Sequence, residues 1–170
     1  MPGPAQSSTT TPPLMFTGIQ ILEPRIFDYI PHGVFSHSTT DVYPQAIASG
    51  ERVAVHVASG RWLELSTIPR YLAISLLLLS ESGQTNTAGT GCRIATTAAV
   101  QQSVLWDNVV IESGARVRRA VLGDGVKIMA GEVVENAAVV RADLIRGKQP
   151  PPKALKGEIR GDNFVVPLAE

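Results

Sequence analysis

The second half of the chain has an apolar pattern that is neither helical nor strand-like. Aliphatic residues recur there at steps of six, six and five positions, which is too long for a helical stripe and unlike the alternation of a strand. They are Leu105, Ile111, Val117, Leu122, Ile128, Val134 and Val139, and Ile94 and Val100 extend the spacing backwards. The steps give a period of seventeen, and SVLWDNVVIESGARVRR at 103–119 aligns without gaps onto AVLGDGVKIMAGEVVEN at 120–136. This repeat predicts a solenoid whose coils have three short sides, each sending one aliphatic residue inward.

The first half has ordinary periodicities. Alternating apolar residues predict a strand at 15–22, and a hairpin of strands 52–57 and 61–65 around Ala58-Ser59-Gly60. Three helices are predicted, one opened by Pro24, one capped by Asp41, and one running from a Thr67 cap to about Ser80. The expected first domain is therefore α/β.

Composition divides the chain into four parts. Residues 1–13 are rich in Ser, Thr and Pro and predict a flexible tail. SESGQTNTAGT at 80–90 is small and polar and predicts a boundary, formed either by a linker or by a poorly matching first repeat. We therefore expect an α/β part at 14–80, a β-helix at 86–145 and a tail at 146–170. The basic residues from Arg146 to Arg160, around Pro150-Pro151-Pro152, predict a solvated surface in that tail.

Charge and cysteine content restrict the possible binding partners and the cellular location. Lys plus Arg and Asp plus Glu number 15 each, so the formal charge is zero and no basic field favours nucleic acid or an anionic membrane. The single cysteine, Cys92, excludes an internal disulfide, which favours a cytoplasmic location, and we interpret it as a small packed side chain. The longest apolar run, 72–79, is shorter than the ~20 residues that a membrane span needs.

Several segments resemble one family. The six-residue step with Gly and Ala at the corners resembles the hexapeptide-repeat, left-handed parallel β-helix. SVLWDNVVIESGARVRRAVLGDGVKI also resembles the C-terminal β-helix of bacterial sugar-1-phosphate nucleotidyltransferases, particularly the mannose-1-phosphate guanylyltransferase type. FTGIQIL at 16–22 is similar to the family strand N/T-x-G-I, and RWLELSTIPRYL at 61–72 to W-x-D-I-G-T-P-x-x-Y. With 41–57, the resemblance covers about 15–145 and implies part of a nucleotidyltransferase α/β layer followed by a short β-helix.

The resemblance implies a reaction and a set of site residues. The family joins a sugar 1-phosphate to a nucleoside triphosphate, releasing pyrophosphate, and here mannose 1-phosphate and GTP are expected. By position, Phe16, Thr17 and Gly18 would face the sugar phosphate and Trp62 would wall the pocket. Glu64 stands where the family has a metal-binding aspartate, so the resemblance implies Mg²⁺ there. The extra methylene of glutamate shifts its oxygens, and from alternation alone Glu64 is a solvated strand residue.

Other family parts are missing from the sequence. It contains no G-G-x-G-T-R-L loop, no E-K-P segment before the FTGI strand and no counterpart of the first metal-binding aspartate. We therefore expect the C-terminal portion of a nucleotide-sugar pyrophosphorylase, which carries the sugar side and is inactive alone. The alternative is a non-catalytic β-helix module for assembly or regulation. A partial sheet with an exposed edge, and a solenoid with open ends, predict association with a partner chain, self-association or marginal stability.

Acyl transfer is a further activity of hexapeptide-repeat proteins, many of which use a histidine in or beside the coils as a base. His32, His37 and His56 all precede the repeats, so the repeat region contains no such base. Trp106 is a candidate ligand platform, but we interpret this single aromatic residue of a coil as packing against a neighbouring domain.

Overall fold

The computed structural model describes residues 14–149, 152 and 154–168. They form two compact units, of which the first ends at Trp62 and the second begins at Leu63. Most of the buried apolar side chains belong to the second unit. The tail predicted at 1–13 lies outside the described residues. No described helix is long and apolar enough to cross a membrane.

The first unit contains only short helical segments. They are a 3-10 helix at Pro24–Tyr29, a π-helical turn at Ser38–Val42 and helix α1 at Tyr43–Ala48. The helix predicted after Pro24 is confirmed. The Asp41 cap is wrong because the helical region already begins at Ser38, and the Asp41 carboxylate instead accepts a hydrogen bond from the backbone N–H of His37 at 2.7 Å.

The strands predicted in the first half are wrong. Between residues 14 and 86 the structure has no strand, so neither the strand at 15–22 nor the hairpin at 52–57 and 61–65 forms, and no α/β layer is present. A strand exists only when a neighbour pairs with its N–H and C=O groups, and a lone two-stranded hairpin is marginal in water. Apolar residues do alternate along these segments, but no neighbouring strand pairs with them, so Ile21 is 99% exposed and Val55 is 82% exposed.

Helix α2, Ile68–Glu81, begins the second unit. Its predicted cap is confirmed because the Thr67 hydroxyl accepts a hydrogen bond from the Arg70 N–H at 3.3 Å. Leu72 is buried in a cluster with Val104, Val121 and Ala138, which face outward from the coils that follow. The helix therefore packs along the outside of the solenoid.

The solenoid confirms the predicted three-sided coil. Strands β6 Arg116–Leu122 and β8 Val133–Arg141 are long enough to contribute to two sides each. The first side contains β1 Thr87–Ala88, β4 Val104–Leu105 and the later residues of β6 and β8, and the second contains β2 Arg93–Ile94, β5 Val110–Ile111 and β7 Lys127–Ile128. The third side contains β3 Ala99–Gln101 and the early residues of β6 and β8. All pairs between coils are parallel. These strands form about three turns of a hexapeptide-repeat β-solenoid.

The register confirms the period of seventeen. Thr87 pairs with Val104, Val104 with Val121, and Val121 with Ala138, and the other two sides keep the same offset. The predicted inward residues therefore stack in columns, and all seven from Leu105 to Val139 are buried. In the first coil Ile94 is 44% exposed because no earlier coil of the described chain covers it.

The corners require unusual backbone angles. Positive φ occurs at Gly91, Asn108 and Gly125, again at Gly114 and Gly131, and again at Gln102, Arg119 and Asn136. Each set follows the seventeen-residue repeat, so these are equivalent corners of successive coils. Glycine and asparagine accept this left-handed geometry most easily, whereas Gln102 and Arg119 adopt it at a cost of roughly 1–2 kcal/mol.

Residues 146–170, expected as a tail, contain a hairpin. Strands β9 Glu158–Arg160 and β10 Asn163–Pro167 are antiparallel, and β10 extends the first side by pairing antiparallel with β8. Val165 lies opposite Val139 and joins the inner core, and the Asn163 side-chain amide donates to the Lys127 carbonyl at 2.8 Å. A tail is therefore wrong for residues 158–167, of which 163–167 cover the last coil, whereas the basic residues Arg146, Lys148, Lys156 and Arg160 are exposed as predicted.

The covering role of this hairpin predicts a stability difference within it. Val165 is 2% exposed and Ile159 is 52% exposed. Val165→Ala removes buried methyl groups and leaves a cavity, so it should lower the free energy of unfolding by about 2 kcal/mol in urea denaturation. Ile159→Ala is the control and should cost less than about 0.5 kcal/mol. Equal losses would show that the hairpin does not close the core.

The corner geometry predicts opposite effects at two neighbouring arginines. Arg118 lies within strand β6, where glycine should lower the free energy of unfolding by about 1 kcal/mol. Arg119 has φ 49°, so Arg119→Gly relieves backbone strain and should be neutral or stabilising by up to about 1 kcal/mol. Chemical denaturation of both variants gives the comparison, and an equal loss in both would contradict a strained corner.

Candidate functional site

The segment predicted to face a sugar phosphate is exposed and irregular. Phe16 and its neighbours lie on the surface of the first unit, and the Thr17 hydroxyl accepts a hydrogen bond from the Ile19 N–H at 3.4 Å. Gly18 has φ 81° and no atom within 4 Å of the place a Cβ would occupy. A ligand therefore has room to approach this backbone, and a residue with a side chain would be strained there.

Trp62 and Glu64 are also exposed. No hydrogen bond within the described part of the chain joins Trp62 to residues 16–18. The Glu64 carboxylate forms an ion pair with Arg70 at 2.6 Å, and Arg70 also donates to the Ser66 hydroxyl at 3.2 Å. The roles assigned to these residues by resemblance remain predictions.

The fit of Glu64 to a magnesium ion is poor in this chain. Mg²⁺ prefers several oxygen ligands in octahedral geometry, whereas Glu64 is a single carboxylate already neutralised by Arg70. Among residues 14–149, 152 and 154–168, no three His, Cys, Asp or Glu side chains are placed to hold a metal ion together. A metal at Glu64 would need further ligands that this part of the chain does not supply.

Concave surface is found instead on the solenoid. A groove of about 660 Å³, open to solvent, lies at the uncovered first coil. Its apolar part includes Cys92, Ile94 and Ile111, and the Cys92 thiol donates to the Trp106 carbonyl at 2.9 Å. The groove thus exposes the inner column of the first coil.

The polar rim of this groove is Glu112. Its carboxylate forms an ion pair with Lys127 at 2.8 Å and accepts a hydrogen bond from the Ala130 N–H at 3.1 Å. The hydrogen bond and the charge of Lys127, together with the Ala130 N–H, lower the pKa of Glu112 against the opposing effect of desolvation. The carboxylate therefore links the second and third coils.

A second, shallow concavity is lined by Trp106, Asp107 and Asp124. The Trp106 indole N–H donates to the hydroxyl of Tyr71 in helix α2 at 3.3 Å. Asp107 accepts from the Thr90 N–H at 2.7 Å, and Asp124 accepts from the Asn108 amide at 3.3 Å. These side chains connect neighbouring coils and the helix, which is a structural role.

One group of polar residues was not predicted from the sequence. Arg116, Arg118 and Arg119 lie exposed on the third side of the solenoid and at its next corner. The letters RVRR at 116–119 were the available signal, but they gain meaning only when the coils are aligned. No histidine lies in any coil, so the solenoid offers no imidazole base for acyl transfer.

One match to known proteins covers the coils of the solenoid, and a second is longer than the solenoid. A family model described as GlmU-like, C-terminal hexapeptide matches residues 81–143. The chain is also similar to the UTP--glucose-1-phosphate uridylyltransferase of Synechocystis sp. (strain ATCC 27184 / PCC 6803 / Kazusa), at 30% identity over 97 residues. That match covers 56% of this chain and 25% of the relative, so the chain spans about a quarter of the relative's length.

The chain is thus similar to a GlmU-like hexapeptide domain over residues 81–143 and, over part of its length, to a sugar-1-phosphate nucleotidyltransferase. The solenoid is thus the part of the predicted fold that both the structure and the comparisons bear out.

The Glu112 ion pair predicts a dependence of stability on pH. Because the folded state lowers the pKa of Glu112, the stabilisation from this carboxylate is present above the pKa of the unfolded chain and is lost as pH falls through the lower folded value. Glu112→Gln should therefore lose less stability than the wild type between pH 6 and pH 3, measured by urea denaturation. Glu135→Gln, at an exposed position of the third side, is the control and should follow the wild type. Identical profiles for all three proteins would contradict the assignment.

Proposed function

We propose that the chain is the C-terminal portion of a nucleotide-sugar pyrophosphorylase, which joins a sugar 1-phosphate to a nucleoside triphosphate and releases pyrophosphate. The observation that carries the proposal is the length of the match to the uridylyltransferase. Its 97 residues are more than the stretch 81–143 can contain, so the similarity is not confined to the hexapeptide repeats. Mannose 1-phosphate and GTP are the proposed substrates, and the name of the relative makes glucose 1-phosphate and UTP the pair to compare.

In this proposal the described chain supplies the sugar side of the site. Phe16, Thr17 and Gly18 receive the sugar phosphate, with the bare backbone of Gly18 allowing close approach, and Trp62 forms a wall. In the reaction a sugar phosphate oxygen attacks the α-phosphorus of the nucleotide and pyrophosphate leaves. Cationic groups must neutralise the charge that develops on the phosphates, and a glycine-rich loop must hold the triphosphate. Both requirements fall to a nucleotide-binding half.

Mg²⁺ is the ion this family uses, and it neutralises phosphate charge when bound. Because Glu64 pairs with Arg70, the proposal assigns most of the metal ligands to the nucleotide-binding half. The proposed location is the cytoplasm, where a single free cysteine stays reduced.

A second candidate is a non-catalytic β-helix module for assembly or regulation. The observation in its favour is the distribution of the core, because the inner cluster lies entirely within the coils and the C-terminal hairpin. A solenoid is quasi-one-dimensional and can fold and bind without the first unit. In that case the resemblance at 15–72 reflects descent from a nucleotidyltransferase, and this chain has no such activity.

Pyrophosphate release separates the two candidates. The chain alone, with Mg²⁺ and either substrate pair, should release none above background because no loop holds the triphosphate. A separate polypeptide carrying the G-G-x-G-T-R-L and E-K-P segments should restore release with one substrate pair. Release by the chain alone would contradict the assignment of triphosphate binding to a separate nucleotide-binding half. Binding of that polypeptide without release would favour the assembly module.

Two glycines provide a matched pair for the restored reaction. Gly18 and Gly33 both have left-handed backbones, with φ 81° and 72°, and both face open space. Gly18→Ala should lower kcat/KM about tenfold or more, whereas Gly33→Ala introduces the same strain outside the proposed site and should leave kcat/KM unchanged. Equal effects would show that strain alone, and not phosphate approach, governs the loss.

A further inference from the structure

The third side of the solenoid carries an unusual concentration of positive charge. Arg116 and Arg118 flank the inward Val117 on strand β6, so both point outward from the same face, and Arg119 lies at the corner that follows. All three guanidinium groups belong to exposed residues of the middle coil. We refer to these three residues as the arginine row.

The row has little protein around it to balance its charge. Arg116 and Arg118 form no ion pair or side-chain hydrogen bond within the part of the chain that the structure describes, and the Arg119 Nε–H donates to the side-chain Oδ1 of Asn136 at 3.0 Å. Glu135 is the register partner of Arg118, yet the two side chains form no ion pair. Three like charges this close repel one another, so an anion bound among them would be stabilised.

The neighbouring coils supply more hydrogen-bond donors. Gln101 pairs with Arg118 in register, and Gln102 and Asn136 occupy the corners equivalent to Arg119. The amide groups of these side chains can donate N–H groups to a ligand beside the guanidinium groups. The surface thus combines charge with neutral donors.

The coil itself does not require these arginines. Equivalent positions in the other coils hold Ala99, Gln101 and Gln102 before the row, and Val133, Glu135 and Asn136 after it. Arg119 also holds a strained corner that Asn136 shows a smaller side chain can occupy. The arginines therefore call for an explanation outside the packing of the solenoid.

We propose that the arginine row is a binding site for an oligophosphate anion, a chain of two or more linked phosphates. Residues two apart on one strand are separated by about 6.6 Å, which lets two guanidinium groups bind different phosphates of one chain. Planar guanidinium groups bind phosphate oxygens in pairs, which gives them an advantage over a single point charge. This site is separate from the proposed reaction and does not depend on it.

The test uses tripolyphosphate and the full chain in isothermal titration calorimetry at low salt. The wild type should bind with a dissociation constant below about 1 mM, and Arg116→Gln/Arg118→Gln should bind at least about tenfold more weakly. The matched control is Arg52→Gln/Arg93→Gln, which removes two exposed arginines elsewhere and should change affinity less than about twofold. Thermal unfolding of each variant checks that the solenoid is retained.

Three outcomes would overturn the proposal. They are no binding of tripolyphosphate by the wild type, equal weakening in the two double variants, and binding of orthophosphate as tight as that of tripolyphosphate. The second would show that overall charge rather than the row attracts the anion. The third would show that linked phosphates are not recognised.

Discussion

The stacking of each residue on the residue seventeen positions later determines the structure of the second unit. Parallel pairing on all three sides keeps this offset, so Leu105, Leu122 and Val139 form one inner column while Val104, Val121 and Ala138 form an outer row beneath helix α2. One inserted residue would exchange inner and outer positions along the strand that follows, because strand side chains alternate between faces. Repeated left-handed corners make this offset possible, and they explain why polar residues such as Asn108 and Asn136 recur there.

The two ends of the solenoid have different surroundings. At the last coil, β10 pairs with β8 and places Val165 on the inner core, so the column ending at Val139 is covered. At the first coil, Ile94 and Val100 keep their inward positions, but within the described residues only one neighbouring coil packs on them. Solenoids generally need capping segments because the apolar column otherwise reaches solvent. The groove beside Cys92 is a direct consequence of this difference.

The sequence predicted those features that are local or strictly periodic. The inner column follows from spacing alone, and the Thr67 cap follows from residue type beside Pro69. The strands predicted at 15–22 and 52–57 do not form, because a strand needs a neighbouring strand to pair with and an alternating pattern does not show whether one is present. The hairpin at 158–167 was missed because the prolines and basic residues before it dominate its composition, and its short strands gain stability only against β8. The arginine row became visible only after the coils were placed in register, which brings Gln101 beside Arg118.

The need of a strand for a pairing partner connects the fold of the first unit with its proposed role. The segments that resemble the sugar side of a nucleotidyltransferase are those whose apolar residues, such as Ile21 and Val55, remain exposed without paired strands. A sheet that supplied their hydrogen-bond partners would bury these residues and fix the backbone around Gly18 at the same time. Folding of this segment and assembly of a sugar-phosphate site would then be a single event. The solenoid, in contrast, builds its inner core from its own coils and the C-terminal hairpin, and it can present the arginine row whether or not that event takes place.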